Sequence, residues 1–180
     1  MIILGIDPGT RITGFGVVEV DHGMERLVEF GVIRMAGSED QHLRLKSIYD
    51  RLTAIIDRCM PDECAIEMPV YGENPQSMLK LGRAQAAAML AALNRQIPVA
   101  QYTPKEVKKS VTGNGNASKQ QVWFMVRSIL EIGSPDEEMG LDASDALAVG
   151  LCHSHRDMGR AAPLSGDWES FVRDNPERVR

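Results

Sequence analysis

The feature that most constrains this chain is a short apolar strand near its start that ends in an acid. Residues Ile2–Thr10 read IILGIDPGT, an apolar run that leads directly to Asp7. Pro8-Gly9 then ends the strand, because proline lacks an N–H donor and glycine readily adopts positive φ. One carboxylate is thereby placed at the carboxyl end of a buried strand, which is where α/β sheets commonly place chemistry. The stretch predicts both a sheet core and a functional site at its edge.

Three further acids occur in settings that suit the same site. Glu67 ends the apolar run CAIE at Cys64–Glu67, and Asp142 and Asp145 lie within LDASDALAVG. Since Asp142 and Asp145 are three residues apart, we expect them on one face in the first turn of a helix, where the helix dipole tolerates negative charge. Taken alone, such a pair is more commonly an N-cap and a first-turn acid of purely structural role.

Four carboxylates gathered at one sheet edge would ionise reluctantly unless cations bridged them. Hard oxygen ligands of this kind select Mg²⁺ or Mn²⁺. Two such ions about 3.5–4 Å apart would clamp a phosphodiester, one activating the attacking water and the other stabilising the leaving oxygen. If Asp7, Glu67, Asp142 and Asp145 converge, they predict a metal-dependent nuclease that requires no nucleophilic side chain.

The hydrophobic pattern predicts a mixed α/β layer fold. The first three strands are joined by short turns and should form an antiparallel meander. Strands are expected at Ile2–Asp7, Thr13–Val20, Arg26–Met35, Glu63–Met68 and Pro98–Tyr102. Helices are expected at His42–Cys59, from Pro75 or Gln76 to about Gln96, at Lys105–Val111 and Lys119–Leu130 with caps at Thr103 and Ser118, and at Asp142–His155. Thr112–Ala117 is predicted to be a flexible connector and Gly133–Gly140 a polar, acidic loop.

Length and composition predict one compact domain at residues 1–156, which would carry the nuclease site, and a polar tail at 157–180 whose composition is compatible with disorder. The chain lacks an apolar run of about 18–20 residues and a basic segment before its first apolar residues, so we expect a cytoplasmic protein without a membrane segment. The three cysteines show no CxxC spacing, which favours buried free thiols. A net charge of −5 neither indicates nor excludes nucleic-acid binding.

Several basic residues gather at positions 105–127, and others lie on the long helix before them. Four of them flank the sequence TGNGN and two lie on the long helix: Lys105, Lys108, Lys109, Lys119, Lys80 and Arg83. Lysines next to Gly- and Asn-rich backbone suit phosphate contacts with little sequence preference. A solvated helix face beside a flexible loop explains the same pattern, and by composition alone the two interpretations are evenly matched.

The second half of the long helix, Ala86–Leu93, is apolar on all sides and must be covered on more than one side. It is either a core helix under the sheet or a helix packed on the sheet and on a partner subunit. We favour the second interpretation, because a domain of this size rarely encloses a helix fully.

Taken together, these segments resemble the RuvC family of Holliday junction resolvases. The matching segments are GIDPGT, AIE before a loop, SMLKLGRAQ, Val107-Lys108 with TGNGNASKQQV, and DASDALA, in the family's order from Met1 to about His155. The resemblance implies a ribonuclease-H-like α/β fold with a mixed five-stranded sheet flanked by helices. It also implies a homodimer that cuts two opposed strands of a four-way DNA junction symmetrically with Mg²⁺, for which Mn²⁺ should substitute, leaving 5′-phosphate and 3′-hydroxyl nicks.

Matched residue by residue, the resemblance puts the metal ligands at Asp7, Glu67, Asp142 and Asp145. It puts Lys108 and Lys119 near the scissile phosphate and backbone, with Lys108 in the catalytic set. Lys80 and Arg83 are further candidate DNA contacts. A branch-migration helicase complex is the partner that the family implies.

One position departs from the family pattern. A phenylalanine often lies three residues after the catalytic glutamate and stacks on a base, but this chain has Val70 there, followed by Tyr71. Since base stacking requires an aromatic face, Tyr71 is the candidate substitute. An ordinary loop aromatic remains the alternative, and preference for a cut sequence is the family property least safely transferred.

Three other functions remain open from the sequence. An actin-like ATP-binding protein also begins with a strand, an Asp and Gly-Thr, but it needs two such lobes. A catalytically silent junction-binding module would have no use for four clustered acids. Another ribonuclease-H-like nuclease acting on RNA would lack a reason for TGNGNASK.

Overall fold

The structure is a computed structural model that describes residues 1–37, 40–69, 74–133 and 137–160. For residues 137–142 and 157–160 it describes the helical backbone alone. The strands are β1 (Ile2–Asp7), β2 (Ile12–Asp21), β3 (Met24–Arg34), β4 (Glu63–Glu67) and β5 (Val99–Tyr102). The helices are α1 (Gln41–Cys59), α2 (Pro75–Leu93), α3 (Pro104–Thr112), α4 (Lys119–Ile129) and α5 (Glu137–Arg160).

The five strands form one mixed sheet in the order β3-β2-β1-β4-β5. β1, β2 and β3 are antiparallel neighbours, as the predicted meander requires, while β4 runs parallel to both β1 and β5. Because β1 and β4 are parallel and adjacent, their carboxyl ends lie at the same edge of the sheet. The topology therefore brings Asp7 and Glu67 to neighbouring strand ends.

Each face of the sheet is covered by its own apolar core. Leu4 and Ile6 of β1 point into the core formed with α1 and α2. Ile3, on the opposite face, packs into the core formed with α3, α4 and α5. The period-two alternation of strand side chains thus serves two layers of helices, and the predicted α/β fold is confirmed.

Helix α5 lies directly on β1 and β2, and glycines permit this close approach. A Cβ at Gly5 would lie 2.1 Å from the backbone oxygen of Ala146, and one at Gly16 would lie 2.6 Å from Leu147 Cδ2. Gly150 of α5 in turn faces Gly5. The predicted small-residue face of this helix is confirmed, and it sets the distance between α5 and the strand that carries Asp7.

The predicted start of α5 is wrong. The helix begins at Glu137, so Asp142 and Asp145 lie in its second and third turns and not in its first. Glutamate is a good helix former and suits a helix N-terminus, whereas one glycine, here Gly140, costs only about 1 kcal/mol. The segment predicted as a loop at Gly133–Gly140 is therefore partly helical, and α5 also extends beyond the predicted His155 to Arg160.

The other elements match their predictions to within about three residues, the largest difference being α2, which ends at Leu93 and not at about Gln96. The three cysteines are free thiols, and burial raises the pKa of Cys64 to about 12. None of the helices within the described ranges is long and apolar enough to cross a bilayer. The division into a domain at 1–156 and a tail at 157–180 stays a prediction, since most of the tail lies outside the described residues.

Candidate active site at the carboxyl edge of the sheet

The turn after Asp7 is held by the strand that follows it. Thr13, fully buried in β2, accepts a hydrogen bond from the Gly9 N–H (3.3 Å) and donates one to the Gly9 carbonyl (3.2 Å). A Cβ at Gly9 would lie 1.9 Å from the Ile12 oxygen, so glycine is required by the close approach of the backbone. The Pro-Gly turn seen in the sequence is therefore a tight connection that fixes where β1 ends and Asp7 projects.

Five of the predicted site residues line one cavity of about 240 Å³ at this edge. They are Asp7, Glu67, Asp145, Lys108 and Lys119. The walls are completed by Pro104, Val107, Val122 and Ala148. Five separate segments of the chain, β1, β4, α3, α4 and α5, thus contribute charged groups to one small space with a partly apolar lining.

Glu67 is the most strongly perturbed acid in this cavity. Burial raises its pKa, and the negative charges of Asp7 and Asp145 raise it further. The positive charges of Lys119 and Lys108 act in the opposite direction, and the resulting pKa is about 8. A carboxyl group that holds its proton at neutral pH in the absence of a cation marks a site with excess negative charge.

Asp145 is paired with a lysine from another helix. Lys119 Nζ lies 2.7 Å from Asp145 Oδ2, and the aspartate side chain is only 20% exposed. Asp145 lies in the third turn of α5, beyond the reach of the N-terminal dipole. The charge that the helix terminus was predicted to supply comes instead from Lys119.

Two capping boxes fix the helices that carry the lysines. In α3, the Thr103 hydroxyl accepts from the Glu106 N–H and the Glu106 carboxylate accepts from the Thr103 N–H. In α4, Ser118 and Gln121 form the same reciprocal pair. Lys108 and Lys119 therefore project from rigid helices, as the predicted caps at Thr103 and Ser118 required.

The connector between these helices is ordered by its own side chains. The Thr112 hydroxyl donates to the Lys108 carbonyl (2.8 Å), and the Asn114 carboxamide oxygen accepts from the Asn116 N–H (3.0 Å). Gly113 adopts φ 76° as the C-cap of α3. Asn and Gly therefore serve here to turn the backbone sharply between two helices.

The carboxylates are near one another but do not form a closed metal cage. In the described ranges, no three His, Cys, Asp or Glu side chains are close enough together to hold a metal ion. The predicted ligand Asp142 lies outside this comparison, because only its backbone is described. The donor chemistry nevertheless fits a hard divalent cation, since the raised pKa of Glu67 reports negative charge that such a cation would neutralise.

Two of the predicted DNA contacts lie away from this cavity. Lys80 lines a separate cavity between α1 and α2, and Arg83 is exposed on α2. Tyr71 and Val70 lie outside the described residues, so the stacking role proposed for Tyr71 remains untested. The DNA-binding roles of Lys80, Arg83 and Tyr71 therefore stay predictions.

Three further residues are candidates for a functional role because of where the structure places them. Arg11 and Arg44 line the same separate cavity as Lys80, and Phe124, 71% exposed on α4, lines a groove beside the Thr112–Ala117 connector. No sequence motif marked Arg44 or Phe124 as a functional residue. Arg11 follows the GIDPGT segment directly, and that proximity was the available signal.

Comparison with known proteins agrees with the geometry. The profile of the family described as "Crossover junction endodeoxyribonuclease RuvC" matches residues 3–153. The chain is 60% identical over 179 residues to the protein of that description from Salinibacter ruber, covering 99% of both chains. It is 48% identical over 185 residues to the one from Porphyromonas gingivalis, covering 99% of this chain and 97% of the relative.

Solved structures show the same arrangement of elements. Thermus thermophilus RuvC in complex with a Holliday junction substrate is 33% identical, with a TM-score of 0.80, covering 88% of this chain and 96% of that one. The yeast mitochondrial Holliday junction resolvase is only 16% identical at a TM-score of 0.62, which shows a shared fold alone. With matching residues from the first strand to the last helix and a family profile over most of its length, this chain belongs to the RuvC family of crossover junction endodeoxyribonucleases.

Proposed function

We propose that this protein is a structure-specific endonuclease that resolves four-way DNA junctions by metal-dependent hydrolysis of two opposed strands. The observation that carries the proposal is the single cavity in which Asp7, Glu67 and Asp145 meet Lys108 and Lys119. Its relative from Thermus thermophilus is described in complex with a Holliday junction substrate. Acids alone would repel a phosphodiester, whereas acids and lysines in one cavity suit a cation and a phosphate together.

The metal site of this proposal comprises Asp7, Glu67, Asp142 and Asp145. Magnesium bound there, with manganese as a substitute, would supply an activated water and charge stabilisation at the scissile phosphate, and two ions per site suit this chemistry. The chain's own contribution is a preorganised set of carboxylates on β1, β4 and α5. Support comes from the pKa of Glu67, which is raised to about 8 by burial and by its acidic neighbours.

In this proposal Lys108 and Lys119 bind the scissile phosphate. Lys119 Nζ already binds an anionic oxygen, that of Asp145, at 2.7 Å. Lys108 lies in the same cavity and projects from a capped helix. We assign both to the non-bridging oxygens and backbone of the cut strand, where they would neutralise negative charge without reading sequence.

The assembly in this proposal is a homodimer, because two symmetric cuts require two sites that face a junction of approximate twofold symmetry. The exposed side of α2 supports it. Leu79, Leu90 and Leu93 are 57%, 51% and 48% exposed, while Ala84, Ala88, Ala91 and Ala92 face the core. Unpaired leucines along one helix suit a second copy of the chain. A branch-migration helicase complex and a cytoplasmic location complete the proposal by family analogy.

The test is incubation with a synthetic immobile four-way junction in Mg²⁺ and in EDTA, beside a linear duplex of the same sequence. The expected result is paired, symmetric and ligatable nicks that require Mg²⁺ and the junction, with 5′-phosphate and 3′-hydroxyl ends. Tight binding without nicks on any junction sequence would indicate a silent binding module. Preferential cutting of an RNA–DNA hybrid, or thermal stabilisation by ATP without junction binding, would overturn the proposal in favour of the other two alternatives.

A further inference from the structure

A second cavity, of about 320 Å³, lies between α1 and α2. Three cationic side chains line it: Arg11 from the turn before β2, Arg44 from α1 and Lys80 from α2. The acid that lines it is Asp40, whose carboxylate accepts a hydrogen bond from the Gln41 N–H (2.6 Å) as the N-cap of α1. The lining therefore carries an excess of positive charge.

Two buried donors in this lining have no acceptor. Arg44 Nε and Gln41 Nε2 are buried and form no hydrogen bond in the described part of the chain. Arg44 Nη2 donates to the Gly37 carbonyl (2.8 Å), which fixes the guanidinium in place. Since buried donors are normally paired in native structures, these two groups retain hydrogen-bonding capacity beside the cavity.

The three cations also have no carboxylate partner. Within the described ranges, Arg11, Arg44 and Lys80 form no ion pair with an acid. Three cations and an unpaired amide donor match the several acceptor oxygens of a phosphate group, and arginine is well suited to bind phosphate in a bidentate manner.

The cavity lies close to the catalytic edge. Arg11 is four residues after Asp7, so their Cα atoms are separated by at most about 14 Å along an extended chain. A DNA strand rises about 3.4 Å per nucleotide, so this distance corresponds to a few nucleotides. One strand can therefore pass from the carboxylate cavity to this second cavity.

We infer that the cavity lined by Arg11, Arg44 and Lys80 binds a backbone phosphate of the DNA substrate that is not the phosphate being cut. The inference rests on the proposed function and adds to it a second anchor for the cut strand. Arg44 and Arg11 join Lys80, the one member of this set that the sequence identified as a DNA contact. The two anchors together would fix the position of the strand relative to Asp7.

The test measures junction affinity against salt concentration in EDTA, which prevents cutting. Each phosphate contact contributes about 0.9 to the slope of log K against log salt. Arg11→Gln and Lys80→Gln should each weaken binding about fivefold or more and reduce this slope by up to about 0.9. Arg51→Gln is the matched control, because it removes the same charge from the exposed side of α1 and should change neither quantity. Arg44→Gln also disturbs the bond to Gly37, so Arg11→Gln keeps the test independent of folding.

A second measurement locates the phosphate. Single phosphates along the cut strand are replaced one at a time by neutral methylphosphonates. At one position within a few nucleotides of the cut, the replacement should weaken binding by the wild type but cause no further loss of binding by Arg11→Gln. Equal slopes for Arg11→Gln and Arg51→Gln, or no such position, would overturn the inference. Stabilisation by inorganic phosphate that depends on Arg11, with unchanged DNA binding, would assign the site to a free anion and overturn it as well. Wild-type cutting of the junction in Mg²⁺ tests the proposed function separately.

Discussion

The two ends of strand β4 carry the same residue in opposite circumstances. Glu63 begins the strand and Glu67 ends it, and both side chains lie on the face that packs against α5. Glu63 has a hydrogen-bond partner, since its Oε2 lies 2.5 Å from His153 Nε2. Glu67 instead faces Asp7 and Asp145 in a cavity, and its pKa is raised to about 8.

Under the proposed function, the difference separates a structural carboxylate from one that serves the reaction. The imidazole at the Glu63 end is itself anchored, because the Tyr102 hydroxyl lies 2.6 Å from His153 Nδ1 and both rings are buried. At the Glu63 end of β4, Tyr102, His153 and Glu63 are therefore connected by hydrogen bonds. At the Glu67 end, ionising all three carboxyl groups would leave more negative charge than the two lysines offset, which is the arrangement that the proposed cation would complete.

The largest effect is expected from Asp7→Asn, which removes one of the charges facing Glu67. Junction cutting should fall by about 10³-fold or more, because a proposed metal ligand is lost. Binding in EDTA should be unchanged or tighter, and the melting temperature unchanged or higher, because repulsion at Glu67 is relieved. Nuclease assays, binding titrations and thermal melts check the three statements. Loss of binding together with a large fall in melting temperature would show that Asp7 has a structural role, as Glu63 does. Asp145→Asn should behave alike.

A smaller loss is expected from Lys108→Ala. Removing a cation from the carboxylate cavity should slow cutting by about 10²-fold, as for other transition-state charge contacts. The melting temperature should change by less than about 2 °C, since the Lys108 side chain is only partly buried. Lys109→Ala, the adjacent exposed lysine, is the control and should cut at nearly the wild-type rate. A large fall in melting temperature in Lys108→Ala would contradict a functional role.

The raised pKa of Glu67 should also make the stability of the protein depend on pH. Because the pKa is about 8 in the folded protein and 4.5 in the reference state, the folded state binds more protons between these values, and stability falls as pH rises through them. We expect Glu67 to contribute a loss of about 1–3 kcal/mol between pH 5 and pH 9 in EDTA, after allowance for solvent screening. Thermal melts of wild type and Glu67→Gln across this pH range measure the loss, because the variant cannot titrate at position 67 and should not show it. Added Mg²⁺ should restore the stability of the wild type at high pH. Identical pH profiles for the two proteins would refute the raised pKa.

The smallest effect is expected at the other end of β4. Glu63→Gln removes the charge that pairs with His153 and should lower stability by about 1 kcal/mol, equivalent to a fall of about 2–4 °C in melting temperature. Cutting per folded molecule should remain at the wild-type level. The comparison with Glu67→Gln, which should cut hardly at all, uses the same chemical change on the same strand. A loss of cutting in Glu63→Gln without unfolding would show that both ends of β4 serve the reaction.

Most of the fold follows from local patterns. The alternation in β2 and β3 and the turn at Pro8-Gly9 predicted an antiparallel meander that the structure contains. The caps at Thr103 and Ser118 were visible because capping boxes are local in sequence. The start of α5 was missed, because an acidic segment with one glycine resembles a loop until packing against β1 and β2 extends the helix.

The sequence by itself determined which groups are available to this protein. It showed carboxylates at the ends of strands, lysines on capped helices and a helix with small residues for close packing, because backbone sterics and hydrogen bonding act over a few residues. Only the tertiary structure decided which of these groups meet. Convergence of β1, β4, α3, α4 and α5 placed Lys119 on Asp145, sent Lys80 to a different cavity with Arg11 and Arg44, and gave Glu63 a histidine where Glu67 has two acids. Burial and Coulomb interactions depend on distance in space, so residues far apart in sequence set the charge state of each site.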